Sequence, residues 1–292
     1  MESQQPSALH ILSFDLEEWF YLYSPRPDFD AEFFWQKANL RAEIMVDRLL
    51  ALLHDSGQSA TFFTMGRFAR QYPQLIKRIA ASGNEIGAHS DLHEYAKNQS
   101  LNRFQADLQA NMSTLQDLMG QSPISYRTPA YSIDTRLAPY REKLMELNIR
   151  YDSSLKSGTS GEYGKVPNKP FQLQFDKQIT YLPVSAWPVL NGWPYAGSGF
   201  FRLMPAFVVD QELSKPGYHM MYFHPRDFDP EMKVLPKEWS NKWKYGLGTG
   251  SSFSRLRHLL QRYRCLSIAD AAQSGKIASH LEHVKGPKAG LE

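Results

Sequence analysis

Cysteine is almost missing from this 292-residue chain: Cys265 is the only one. No intramolecular disulfide can form, so stability must come from a packed core. Long apolar runs are missing as well. No stretch of about 18 apolar residues occurs, which predicts no membrane span. The opening residues, Met1 to His10, lack a basic start followed by an apolar segment, so no secretory leader is expected there. Together these absences make the cytoplasm the expected location. Charge of one sign is scarce too. A net charge of +3 with 22% charged residues argues against a nucleic-acid partner or a membrane surface. No internal repeat and no linker divides the chain, and its length suits one large α/β domain.

What is present is ordinary for a soluble enzyme, with 42% hydrophobic residues, except that aromatics reach 13%. Most of these must fill a core. Trp187, Trp193, Trp239 and Trp243 are also candidates for stacking on sugar rings, with core packing an equal explanation for each. Along the chain, strands and helices alternate. Ala8–Phe14, Ser59–Phe63, Glu85–Ala88, Ile124–Tyr126, Ile149–Tyr151 and Tyr218–Phe223 read as buried strands. Between them, 40–55 reads as a helix stopped by Gly57, 73–82 as one with Pro73 in its first turn, and 101–119 as one capped by Ser100 and stopped by Gly120. Asp134 caps a further helix to Leu147, and Ser251 starts an amphipathic helix. This alternation argues for a parallel sheet or barrel. From about 156 to 200 the pattern breaks into an irregular insertion that walls one side of the site, with one clear strand at Ile179–Val184. The domain is expected over 1–279, with 280–292 a loosely ordered tail.

Asp15, His89, Arg127, Asp152 and His224 each fall at the C-terminal end of an expected strand, the edge where βα barrels hold their chemistry. His89-Ser-Asp-Leu-His93 sets two imidazoles four residues apart. That is about one helical turn, so both rings can reach one ion. The related zinc motif His-Glu-x-x-His has its base inside the pair, but here that position is Ser90. A third ligand and a base must come from elsewhere. In Asp15-Leu16-Glu17, strand alternation puts both carboxylates on one side and points Glu18 away, which leaves Glu18 a weaker rival to Glu17 as third ligand. Two histidines and one carboxylate are an established zinc set, leaving the other carboxylate as a base. Taken alone, Asp15 is most simply a cap or surface acid, and His-x-x-x-His occurs by chance. Their combination favours a metal-dependent site. Arg127-Thr-Pro is a fixed cation at a turn, suited to holding an acid ionised. Asp152 can hydrogen-bond a histidine or cap a turn. His224, before Pro225, is a turn residue or a general acid. Asp227 and Asp229 read most simply as turn or surface acids.

In order and content these motifs resemble the polysaccharide deacetylases of the carbohydrate esterase type, over about residues 10 to 270. Ser13-Phe-Asp-Leu-Glu17 is similar to the family's T-F-D-D. His89-Ser-Asp-Leu-His93 matches H-S/T-x-x-H, and Arg127-Thr-Pro129 matches R-x-P. Asp152-Ser-Ser154 and Met221-Tyr-Phe-His224 correspond to the last two motifs. Ser198-Gly-Phe-Phe-Arg-Leu-Met-Pro205 and His224-Pro225 resemble a subgroup tied to exopolysaccharide and O-antigen clusters.

The resemblance implies a distorted (β/α)7 barrel that removes acetyl groups from an N-acetylated sugar or glycan. It makes Glu17, His89 and His93 ligands of a divalent metal, with Zn2+ the expected ion. Asp15 becomes the base, Arg127 its orienting partner, His224 the general acid and Asp152 the residue that tunes His224. Ala130, Tyr131, Trp19 and Arg202 become the candidate substrate-binding residues, with a backbone N–H near Ala130 in the oxyanion hole. The chain departs from the pattern at Leu16, where the family has its metal-binding Asp, so Glu17 must reach the metal by a longer side chain. Rival readings are hydrolysis of another amide or of an O-acetyl ester, and a non-catalytic glycan-binding barrel.

Overall fold

The computed structural model describes residues 8–24, 26–133, 137–161, 164–174, 176–187, 193–232 and 246–285. Among these, seven strands form a continuous parallel path, and Cys265–Leu266 adds a short parallel pair to the one that comes first in the chain. In chain order they are β1 (Leu9–Leu16), β2 (Thr61–Thr64), β3 (Glu85–Ala88), β4 (Ser125–Tyr126), β5 (Tyr151–Asp152), β6 (Asp176–Tyr181) and β7 (Tyr218–Phe223). In space the order is β7-β1-β2-β3-β4-β5-β6. Every residue of β1 is buried, because both faces of a parallel sheet are covered. The sheet curls into an incomplete barrel. Regular pairing stops between β6 and β7. There Ser185 N–H donates to the Met220 carbonyl at 3.1 Å and Ser185 Oγ accepts from Met220 N–H at 2.9 Å. The expected (β/α)7 architecture is the observed one, with its distortion at this seam.

The helices follow from their punctuation. Ala42–Ser56 ends where Gly57 turns left-handed at φ 62°. Leu101–Met119 begins where Ser100 Oγ accepts Arg103 N–H, and ends at left-handed Gly120. Pro73–Ala81 starts with proline, whose missing N–H costs nothing in a first turn. Leu137–Glu146 and Thr249–Arg262 complete the cover.

Two boundaries differ from the sequence reading. The stretch from 156 to 200 is not all insertion, because β6 lies inside it and pairs with β5. Among the described strands of this stretch, the short hairpins Ser160–Gly161/Gly164–Lys165 and Ala186–Trp187/Trp193–Pro194 stand outside the barrel sheet. The tail is not loose at its start. Glu282–Val284 adds a strand to Phe171–Leu173, which itself runs antiparallel to β6. Asp134, Trp239 and Trp243 lie outside the described residues.

At the N-terminal ends of β1 and β7, away from the strand ends that carry the motifs, His10 and His219 are register partners and stack at 4.9 Å with 12° between planes. Each Nε2 donates to a backbone carbonyl, of Leu213 and of Lys215, and Tyr195 Oη donates to His219 Nδ1. Burial holds His10 down to about 4 against the pull of its Leu213 bond, and burial lowers His219 as well. Lys276 at His10, and Lys215 and His280 at His219, disfavour a positive charge here, whereas Glu212 favours one at His219. Both folded pKa values lie below the unfolded one of about 6.5. Stability is therefore unaffected by these rings above about pH 6.5, and falls as pH drops towards 4. His10 alone accounts for about 3 kcal/mol of that loss. Urea unfolding at pH 7.5 and pH 5 should show a smaller acid loss for His10→Gln/His219→Gln than for the native chain. An equal loss in both would remove the pair as the cause.

Candidate active site

The site assembles at the C-terminal edge of the sheet. Asp15 and Leu16 end β1, and a tight turn follows, with Glu17 N–H donating to the Asp15 carbonyl at 3.1 Å. Alternation sends Asp15 and Glu17 to the site and Leu16 into the core, where it is fully buried. Glu18 is turned away as expected. It accepts the N–H groups of Arg41 and Ala42 and the Tyr72 hydroxyl, anchoring the start of helix Ala42–Ser56.

The two histidines do meet, but not through a helical turn. Residues 89–93 form an irregular loop in which Ser90 and His93 are left-handed, with φ 65° and 64°. Side chains hold this loop from outside. Asn111 Oδ1 accepts His89 N–H, Asp107 accepts the N–H groups of Asp91 and Leu92, and Arg70 grips Asp91 through two bonds of 2.7 and 2.9 Å. Gly66 closes against it, donating to the Ser90 carbonyl at 3.1 Å. A Cβ on Gly66 would sit 1.9 Å from Asp91 Oδ1, so no larger residue fits without a shift.

The result centres on one carboxylate oxygen. Glu17 Oε1 lies 2.8 Å from His93 Nε2 and 3.3 Å from His89 Nε2, with all three residues buried. His89 Nδ1 lies 2.7 Å from the Arg127 carbonyl, which can only accept, so Nδ1 carries the proton. A neutral His89 then points an Nε2 lone pair at a carboxylate oxygen. Two acceptors face each other, and only a proton or a cation between them relieves this. Burial lowers the pKa of His89, but the charges of Asp15 and Glu17 and the Glu17 bond outweigh it and raise it. Burial also tends to raise the pKa of Glu17, yet His93, Arg226 and His224 hold it well below the usual carboxylate range. His93 is lowered, chiefly by burial. A carbonyl-oriented imidazole with its other nitrogen facing a carboxylate is how histidines are set for a metal. The donor set of Glu17, His89 and His93 therefore fits a divalent ion.

The second acid and the third histidine flank this centre. Arg127 has no exposed surface, and its Nη1 donates to Asp15 Oδ1 at 2.6 Å. Its remaining donors reach Ser13 Oγ, Ser153 Oγ and the Ser153 carbonyl. His224 directly follows β7, with Nε2 3.9 Å from Asp15 Oδ2 and 3.8 Å from Glu17 Oε1. Asp15, Glu17, His93 and His224 open on a cavity of about 300 Å³ whose walls include Tyr95, Ala130, Tyr131, Ser198 and Tyr222. Ala130 and Tyr131 are both left-handed, at φ 52° and 54°, which turns this short stretch into the cavity.

Five expectations change. Asp152 does not tune His224. Its Oδ1 accepts Ser154 N–H at 2.9 Å and the Ser154 hydroxyl, and burial pushes it up to about 6. The acid beside His224 is Asp227, whose Oδ2 lies 3.3 Å from Nδ1 and accepts the His224 N–H at 2.8 Å. Burial opposes its ionisation, but His224 and Arg202 hold Asp227 well below its usual value. Asp227 is thus no surface acid, and Asp229 is likewise buried and paired with Arg41. Arg202 does not line the cavity. It stands behind Asp227, Nε to Oδ1 3.4 Å, and donates to the Leu247 carbonyl. Trp19 is core, with its indole N–H given to the Asn39 carbonyl and its ring edge-on to Phe20 and Phe34. Its place in the apolar run Trp-Phe-Tyr-Leu-Tyr was the available signal.

Arg226 and Asp227 were missed as site residues. His224-Pro-Arg-Asp227 carries a readable sign, proline at the first position of a short helix and an acid at the third, the pattern of a capping box. That box locks His224 and delivers Arg226 to Glu17 Oε2 at 2.5 Å.

Fold and site together define a (β/α) barrel carrying two histidines and a carboxylate at its catalytic edge, flanked by an acid–arginine pair and an acid–histidine pair. Comparison with known proteins agrees. Residues 40–150 match the polysaccharide deacetylase family, and residues 153–273 match a domain of unknown function, DUF3473. Over residues 40–150 the chain is thus similar to the polysaccharide deacetylases. It is 27% identical over 119 residues to a peptidoglycan-N-acetylglucosamine deacetylase of Bacillus cereus, covering 41% of this chain and 44% of that one. It is 27% identical over 113 residues to a peptidoglycan deacetylase of Helicobacter pylori, covering 39% and 38%. The alignments thus span less than half the length of these curated relatives. A Mycobacterium smegmatis structure assigned to the polysaccharide deacetylases shares the fold at TM-score 0.66 and 18% identity, over all of this chain and 97% of that one. His89, His93 and Arg127 fall in the first matched segment and His224 in the second, whereas Asp15 and Glu17 precede both.

Proposed function

We propose that this protein is a metal-dependent hydrolase that removes N-acetyl groups from an amino sugar of a bacterial surface glycan or its precursor. The observation that carries this reading is Glu17 Oε1 facing Nε2 of both His89 and His93, with the His89 tautomer held by the Arg127 carbonyl. The names of the relatives, peptidoglycan deacetylases, support the substrate class. Its single cysteine is free and buried, which fits the reducing cytoplasm.

Glu17, His89 and His93 would hold the ion, with zinc suited to this donor set. A divalent ion there supplies Lewis acidity towards the acetyl carbonyl and towards water. The chain's own groups supply the proton transfers. Asp15, steadied through Oδ1 by Arg127, takes the proton of the attacking water at Oδ2. His224 returns a proton from Nε2 to the departing nitrogen, and the Asp227 carboxylate stabilises its charged form through Nδ1. The amide C–N bond breaks, a C–O bond forms, and acetate and a free amine result. Tyr131 N–H is already given to the Thr128 carbonyl at 3.3 Å, so Ala130 is the proposed donor to the carbonyl oxygen.

The test is release of acetate and of primary amine from N-acetylglucosamine oligosaccharides. Equal amounts of both, abolished by a chelator and restored by zinc, are expected. Acetate without amine from O-acetylated glycans would make the protein an esterase. Retention of the glycan with no product from either substrate would make it a binding barrel.

A further inference from the structure

We infer that Arg226 is a resident cation that competes with the divalent ion for Glu17; this rests on the metal site proposed above. The two oxygens of Glu17 face opposite tasks. Oε1 sits between the two histidines, whereas Oε2 is held by Arg226 Nη1 at 2.5 Å. Both side chains are buried, at 4% and 10% exposure, so water does little to weaken their pairing. Asp15 has its own guanidinium in Arg127. Each carboxylate of the site therefore starts with a matched positive charge.

Two consequences follow. Glu17 offers the ion one oxygen and not two. A dication also enters beside an arginine in a space that screens charge poorly. A neutral outer hydrogen bond to a ligand strengthens a metal site by orienting it. A guanidinium orients Glu17 too, but it repels the ion, and at low dielectric the charge outweighs the orientation. Arg226 thereby sets the affinity below what two histidines and a free carboxylate would reach. In metal-free protein the same arginine keeps the buried Glu17 charge paired, so the fold does not depend on the ion.

Zinc alone is the probe, and binding and melting are the readouts. Arg226→Met should bind Zn2+ about ten-fold more tightly than the native chain. Its metal-free form should melt at lower temperature, and zinc should raise that melting temperature more than it does in the native chain. Arg226→Lys, which keeps the charge, should bind zinc within about three-fold of native. If Arg226→Met folds only when zinc is present, that too supports the competition, since the ion then replaces the lost cation. Equal or weaker zinc binding by Arg226→Met would overturn it, as would an equal fall in melting temperature with and without zinc. His93→Ala separates the two proposals. Loss of zinc binding in this variant, with no gain in Arg226→Met, removes the competition and leaves the metal site. Zinc binding that survives His93→Ala puts the ion elsewhere and removes both.

Discussion

Asp15→Asn is expected to lower kcat by about a thousand-fold while zinc affinity stays within about three-fold of native. The reason is a division of labour between two acids that share a turn. Glu17 Oε1 faces both histidines, whereas Asp15 faces Arg127 on one side and the His224 ring on the other. Asparagine keeps the shape of Asp15, and its carbonyl still accepts from Arg127. What it cannot do is take a proton at neutral pH. KM should change little, because Asp15 removes a proton from water and does not hold the sugar. Acetate release under saturating substrate gives kcat, and zinc titration gives the affinity. Turnover within ten-fold of native would remove Asp15 as the base. A parallel collapse of zinc binding would make it a ligand.

Arg127→Met should destabilise the fold by about 3–5 kcal/mol, the largest stability effect expected of a single substitution here. Arg127 has no exposed surface and lies over the Phe63 ring at 4.2 Å. Methionine fills much of the volume, so the loss is electrostatic. It leaves the Asp15 charge buried without its partner, and it removes the donor that now serves the Ser153 carbonyl. Asp15→Asn in the same chain should recover part of the loss, because the unpaired charge is then gone. Lysine should not rescue, since one ammonium cannot reproduce the fork that joins β1, β4 and the end of β5. Urea unfolding of the two single variants and the double variant measures this directly. A loss below about 1 kcal/mol for Arg127→Met would mean that water or another cation reaches Asp15.

These two expectations draw on residues that were legible from the strand pattern alone. A buried strand followed by a polar residue is a local signal. It located Asp15, His89, Arg127 and His224, and β3 and β7 have the expected limits. Caps are equally local, so Ser100 starts its helix, and Gly57 and Gly120 end theirs, where their chemistry requires. Partnership is not local. Asp152 and Asp227 both lie near strand ends, and only the turn after β7 shows that Asp227 is the one bound to His224. Arg202 resembled a substrate contact by its motif, but a helix places it behind that acid. The spacing of His89 and His93 suited a helix. Asn111 and Asp107, on the helix Leu101–Met119, instead take the loop's N–H groups and make a non-helical course stable.

The sequence by itself determined the order of strands and helices, the edge where the chemistry collects and the two histidines at its centre. Burial periodicity and capping act over a few residues, so they can be read without coordinates. Tertiary structure alone decided which charge meets which. Glu17 is 209 positions from Arg226, and Asp15 is 112 from Arg127. Coulomb energy depends on separation in space and on the exclusion of water, and neither quantity exists until the barrel has curled.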